Sequence, residues 1–72
     1  MAAQINLLDV VALTVDIPEK GLLRGQVGTV VETLAPSVYE IEFSDEQGRG
    51  YAELAVRDDQ MMVLHYRPRH AA

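Results

Sequence analysis

The stretch VYEIEFSD, residues 38–45, alternates more strictly than any other part of the chain. Tyr39, Ile41 and Phe43 fall on one side of an extended backbone, and Val38, Glu40 and Glu42 on the other. That is the two-residue period of a strand with one dry face. The aromatic and aliphatic set is the core face, because Glu40 and Glu42 would otherwise be buried without partners. A half-buried strand needs neighbours, and the flanking sequence supplies them.

On its N-terminal side, APS (35–37) reads as a turn and QVGTVVETL (26–34) as a strand. Glu32 should face water, which puts Val31 and Thr33 on the other face. Val27 and Val30 then fall on opposite faces unless a bulge lies near Gly28, so the facing of Val30 stays open. On the C-terminal side, DEQGRG (45–50) is a second turn, and YAELAV follows with Ala52, Leu54 and Val56 opposite Tyr51, Glu53 and Ala55. RDDQ (57–60) suits one 3-10 turn, and MMVLHY (61–66) is the last strand, with one of Met61 and Met62 facing in and the other available to a partner.

Upstream, LDVVALTV (8–15) is rich in β-branched residues, with Val11, Leu13 and Val15 alternating with Ala12 and Thr14. A helix over residues 4–13 is the competing reading. DIPEKGLLRG (16–25) reads as an ordered loop that tucks Leu22 or Leu23 inward.

These elements predict an all-β domain: a small five-stranded SH3-like barrel with a long first loop and a short 3-10 turn before the last strand. A sheet this small manages its edges by curling. In that topology the first and last strands pair. The barrel should span residues 1–66, with 67–72 a frayed tail.

With 72 residues the chain makes one domain with a small core. It has no cysteine, which excludes disulfides and thiolate metal sites. No apolar run is long enough to span a membrane, and MAAQINLLDVV does not read as a secretory signal; a cytoplasmic protein is expected. Residues 1–66 hold eleven acids against Lys20, Arg24, Arg49 and Arg57, and only Arg67 and Arg69 offset this, for a net charge of −5. An acidic body repels phosphate backbones and suits either plain solubility or a basic protein partner.

Chemical motifs are sparse. GLLRGQVG (21–28) lacks the Gly-Lys-Ser/Thr ending and following helix of a phosphate loop. Glu40, Glu42 and Glu53 share an exposed face that offers little pocket to split their acidities, and Arg49 or Arg57 can pair with them across it. His65 and His70 with Asp58 and Asp59 lack tight metal-ligand spacing. No nucleophile–base pairing is evident. Neither a catalytic residue, a cofactor nor a metal is therefore expected.

Two resemblances add to this. RGQVGTVVE (24–32) resembles the loop-and-strand motif of KOW domains, small barrels that often touch RNA, although Arg24 is its only basic residue. The order LLDVVALT…IPEKGLLRGQVGTVVETL…VYEIEFSDEQGRGYAELAVRDDQMMVL, from about Leu7 to Tyr66, resembles a family of short bacterial proteins, common in cyanobacteria, catalogued as a domain of unknown function. That likeness implies an SH3-like barrel, related to β-type subunits of nitrile hydratase and to small photosynthetic electron-transfer subunits. It also implies a gene neighbour encoding a second small protein, in a toxin–antitoxin-like pair. It carries over no catalytic residues, and it marks Gly25, Gly28, Asp45 and Gly48 as turn chemistry.

The functional expectation is a non-enzymatic protein–protein interaction module, with contacts at Arg24, Glu40, Glu42, Tyr51 and Glu53 and a partner that is either a neighbouring gene's product or a second copy. The alternative is a KOW-like barrel that binds nucleic acid through the Arg24 loop and the RPR tail.

Overall fold

A computed structural model describes residues 4–68. The five strands are β1 (Val10–Leu13), β2 (Val27–Ala35), β3 (Val38–Ser44), β4 (Gly50–Arg57) and β5 (Met61–Val63). Two 3-10 turns accompany them, η1 (Pro18–Lys20) and η2 (Asp58–Gln60). All pairings are antiparallel, in one sheet of order β4-β3-β2-β1-β5. The domain is all-β, and the first and last strands pair as expected, Val11 opposite Val63 and Leu13 opposite Met61.

The order forces curvature. A flat sheet would hold β4 and β5 about 19 Å apart, four strand spacings. The link from Arg57 to Met61 reaches at most about 14 Å even when fully extended, and here it is a 3-10 turn. The sheet therefore bends at this corner, which lets Val56 of β4 and Met61 of β5 enter one core with Val11, Leu13, Ile17, Leu22, Val30, Ile41 and Phe43. No polar or charged residue is buried among the described residues.

The alternation read in β3 is clear in its second half: Ile41 and Phe43 are fully buried and Glu42 is exposed, while Val38, Tyr39 and Glu40 are all half-buried, Tyr39 against the core. In β4, Val56 is buried and Ala52 and Leu54 are half-buried, while Tyr51, Glu53 and Ala55 face out. Met61 points in and Met62 out.

Strand β2 departs from expectation. Val30 is the core residue, and Val31, expected on the face opposite Glu32, is 38% exposed. The register shifts between Val30 and Glu32 and again between Thr33 and Ala35, so the first bulge lies at Val31 and neither irregularity is at Gly28. The cause lies in the neighbours. Up to Val30, β2 is bonded on both sides, its N–H donating to the Asp9 carbonyl at 2.9 Å and its carbonyl accepting from Leu8 N–H at 2.7 Å. Beyond Val30 it pairs with β3 alone, and the bulge re-aims the strand at that change.

Strand β1 is shorter than the expected 8–15. It ends at Leu13, where Thr14 N–H donates to the Gln60 carbonyl at 2.9 Å; Val15 is consequently exposed instead of lying inside with Val11 and Leu13. β5 stops at Val63, short of the expected Tyr66. The long loop is ordered: Ile17 and Leu22 bridge each other, and Leu22 is buried while Leu23 is exposed. Arg67 and Pro68 are exposed, and the rest of the expected tail, 69–72 with Arg69 and His70, lies outside the described residues.

Candidate functional site

The outer face of β2, β3 and β4 gathers the carboxylates. Glu40 and Glu42 project from β3 by its alternation. The register sets Glu42 directly opposite Glu53 on β4 and Glu40 directly opposite Glu32 on β2. Directly opposed residues share a face, with Cβ atoms about 4.5–5.5 Å apart. Two like-charge pairs thus stand side by side. Among the described residues, no ion pair links any of the four glutamates to a cation.

The cations that could have answered them are engaged elsewhere. Arg49 pairs with Asp45 at 3.6 Å and Arg57 with Asp59 at 3.1 Å, contrary to the expected pairing across the glutamate face. The reason is reach: each arginine has an acid within four residues of its own turn, and local pairs cost less side-chain ordering than pairs across a sheet.

Tyr51 lies on the same side, half exposed, and its hydroxyl accepts a 2.9 Å hydrogen bond from Gln26 Nε2. Gln26 thereby ties the end of the long loop to the start of β4. Its own side-chain carbonyl accepts from Leu23 N–H at 2.5 Å. Arg24 belongs to this loop end. Its backbone N–H donates to Asp16 Oδ1 at 2.8 Å, which fixes the backbone and leaves the guanidinium without an ion pair among the described residues. The structure therefore brings Tyr51 next to the Arg24 loop and Glu42 next to Glu53. Gln26 and Glu32 escaped the sequence reading as site residues, since their partners depend on register and on the bulge at Val31.

The four turn positions divide. Asp45 Oδ1 accepts from Gln47 N–H at 3.0 Å and Arg49 N–H at 2.9 Å, closing the β3–β4 turn. Gly48 (φ 81°) occupies the left-handed position of that turn, and Gly25 (φ 94°) does so at the loop end. Gly28 is not a turn residue. It lies within β2, where a Cβ would stand 2.6 Å from Ile41 Cγ2 and 2.8 Å from the Glu42 carbonyl oxygen. It is there for close backbone approach.

Two hollows adjoin these strands. One, of about 270 Å³, is shallow and lined by Glu42, Gly50, Tyr51, Ala52 and Glu53. The other, of about 500 Å³, lies along β5 and is lined by Ile5, Met61, Met62 and Val63 with Asp58, Asp59 and His65. No group of three metal-ligating side chains occurs among the described residues; His70 lies outside them. No helix among them is long and apolar enough to cross a membrane.

What fold and face define together is a small all-β domain with one apolar core and an exposed acidic sheet face. A family profile described as "Domain of unknown function (DUF4926)" matches residues 7–63, most of the chain, and the chain belongs to that family. No curated protein and no solved structure matches it.

Proposed function

We propose that this domain is a non-enzymatic protein–protein interaction module, acting in the cytoplasm, whose contact surface is the acidic face of β2–β4 with Tyr51 at its margin. The observation that carries the reading is the pair of opposed glutamates, Glu42–Glu53 and Glu32–Glu40. Like charges directly opposite each other destabilise a free sheet, by roughly 0.2–1 kcal/mol per pair on the scale of cross-strand effects. A cationic partner surface turns that cost into attraction, and it speeds encounter as well. The exposed Tyr51 ring supplies the kind of amphipathic anchor that interfaces favour.

The partner is another protein, basic where it meets this face. The product of a neighbouring gene is the first candidate, in keeping with the resemblance to paired, antitoxin-like small proteins. Nucleic acid fits less well: Lys20 and Arg24 are the cations of the long loop, and the opposing glutamate face repels phosphate.

Copurification tests this. Tagged protein is recovered from the cells that naturally make it, alongside a Glu42→Gln/Glu53→Gln double variant and an Arg24→Glu variant. A defined protein retained by the wild type and by Arg24→Glu, and lost from the double variant, is the expected result. Recovery of the wild type as a free monomer counts against the reading, as does a partner retained equally by the double variant.

A further inference from the structure

The sheet ends on two strands, and they differ in how their edges are kept. β5 has three residues, too few to template another chain. β4 has eight, with no proline and no lysine; its one register shift falls at Tyr51, and the pairing from Ala52 to Arg57 is regular. Among the described residues, no backbone–backbone hydrogen bond leaves β4 on the side away from β3, and at its end the Arg57 N–H donates to the Gln60 side-chain oxygen at 3.0 Å. Its inward row is graded. Val56, near the bent corner, is 1% exposed, while Ala52 and Leu54 point inward and are still only half-buried. Something that continues the sheet would finish covering them.

The charges beside this edge say what kind of chain it would be. The shallow hollow lined by Glu42, Gly50, Tyr51, Ala52 and Glu53 lies at the start of this edge, beside its acidic side chains. Glu42 leans along it, with Oε2 3.2 Å from where a Cβ on Gly50 would stand. A strand laid on β4 would place alternate residues beside Glu53 and over Ala52 and Leu54.

We infer that the β4 edge from Gly50 to Ala55 takes an extended segment of the partner protein as a sixth strand. That segment alternates cationic residues on the outer row with small or medium apolar residues on the inner row. The inference rests on the reading of the acidic face as a contact surface and adds the mode of contact: backbone pairing supplies affinity, and the alternating side chains supply specificity. A second copy of this chain is a poorer occupant, because the outer row of its own β4 offers Arg57 as its single cation beside Glu53, and each copy carries a net charge of −5.

The test uses the full chain and two capped peptides of equal composition, Lys-Val-Lys-Val-Lys-Val-Lys and Lys-Lys-Lys-Lys-Val-Val-Val, with amide hydrogen exchange and titration as readouts. The alternating peptide should bind about tenfold more tightly than the block peptide and slow exchange at the β4 amides that do not bond β3. An Ala52→Lys variant, which places an inward charge on the edge, should lose this protection while keeping the native circular dichroism spectrum and its weak affinity for the block peptide. Equal binding of the two peptides, or binding without slowed β4 amides, overturns strand addition yet leaves face-on docking intact. Failure of both peptides to bind overturns it too, and the interaction reading is then judged by copurification alone. A dimer with those amides already protected in the free protein assigns the edge to a second copy, which also overturns the inference.

Discussion

Gly28 shows how much one missing side chain carries. Its hydrogen stands where a Cβ would be 2.6 Å from Ile41 Cγ2, 2.8 Å from the Glu42 carbonyl oxygen and 3.1 Å from Phe43 Cδ1. A side chain can shift, but the carbonyl belongs to the β3 backbone that sets the register. Gly28→Ala should therefore destabilise the fold by about 1–3 kcal/mol, the usual range for overpacking, read as a lowered urea midpoint. Asp45 acts through two bonds. Replacing it with alanine orphans the Gln47 and Arg49 N–H groups of an exposed turn and removes the Arg49 ion pair. Because water can take over the donors, the loss should be about 1 kcal/mol. The sequence marked both residues. It explained Asp45 correctly, as turn chemistry, but not Gly28, since close approach depends on which strand lies alongside.

At the scale of elements, the bulge in β2 is the feature that most redirects the reading. Val30 and Val31 are adjacent and chemically identical, and only the register separates them. Val30→Ala should cost about 1.5–3 kcal/mol, for two buried methyl groups and the space they leave. Val31→Ala should stay within about 0.5 kcal/mol. Parallel urea titrations of the two variants decide it, and equal losses would place the bulge elsewhere. Strand β3 was legible because Glu40 and Glu42 mark its wet face at every second residue, and β4 because Glu53 marks it where the pairing from Ala52 to Arg57 is regular. β2 also carries one acid, Glu32, but its register shifts on both sides of that residue, and periodicity has no way to count across an inserted residue. The short ends of β1 and β5 were hidden for a related reason. Val15 and Leu64 have strand-like chemistry, but strands stop where their neighbours stop, and neighbours are a property of the sheet. The same limit applied to the face: exposed glutamates could be read from the chain, but Glu32 standing opposite Glu40 could not.

Across the whole molecule, a single core ties both sheet edges together through the η2 corner, and no polar group is buried among the described residues. Stability therefore lies inside, and the outer face is left to carry charge. If opposed glutamates are retained for binding, removing their charge should not harm the free protein. Glu42→Gln/Glu53→Gln should be as stable as the wild type or more stable by a few tenths of a kcal/mol at low salt, with the difference fading as salt rises. Thermal melts at two ionic strengths check the sign; a clear loss of stability at low salt would mean that these carboxylates hold the fold together. The central claim concerns the partner, and zero-length carbodiimide cross-linking in lysates of the natural host tests it most directly, because it joins a carboxylate only to an amine in contact with it. The account predicts cross-links from Glu42 or Glu53, with Glu32 and Glu40 as further donors, to lysines of one defined protein. Cross-links to a defined protein confined to other carboxylates, such as Glu46, Asp58 and Asp59, would contradict it.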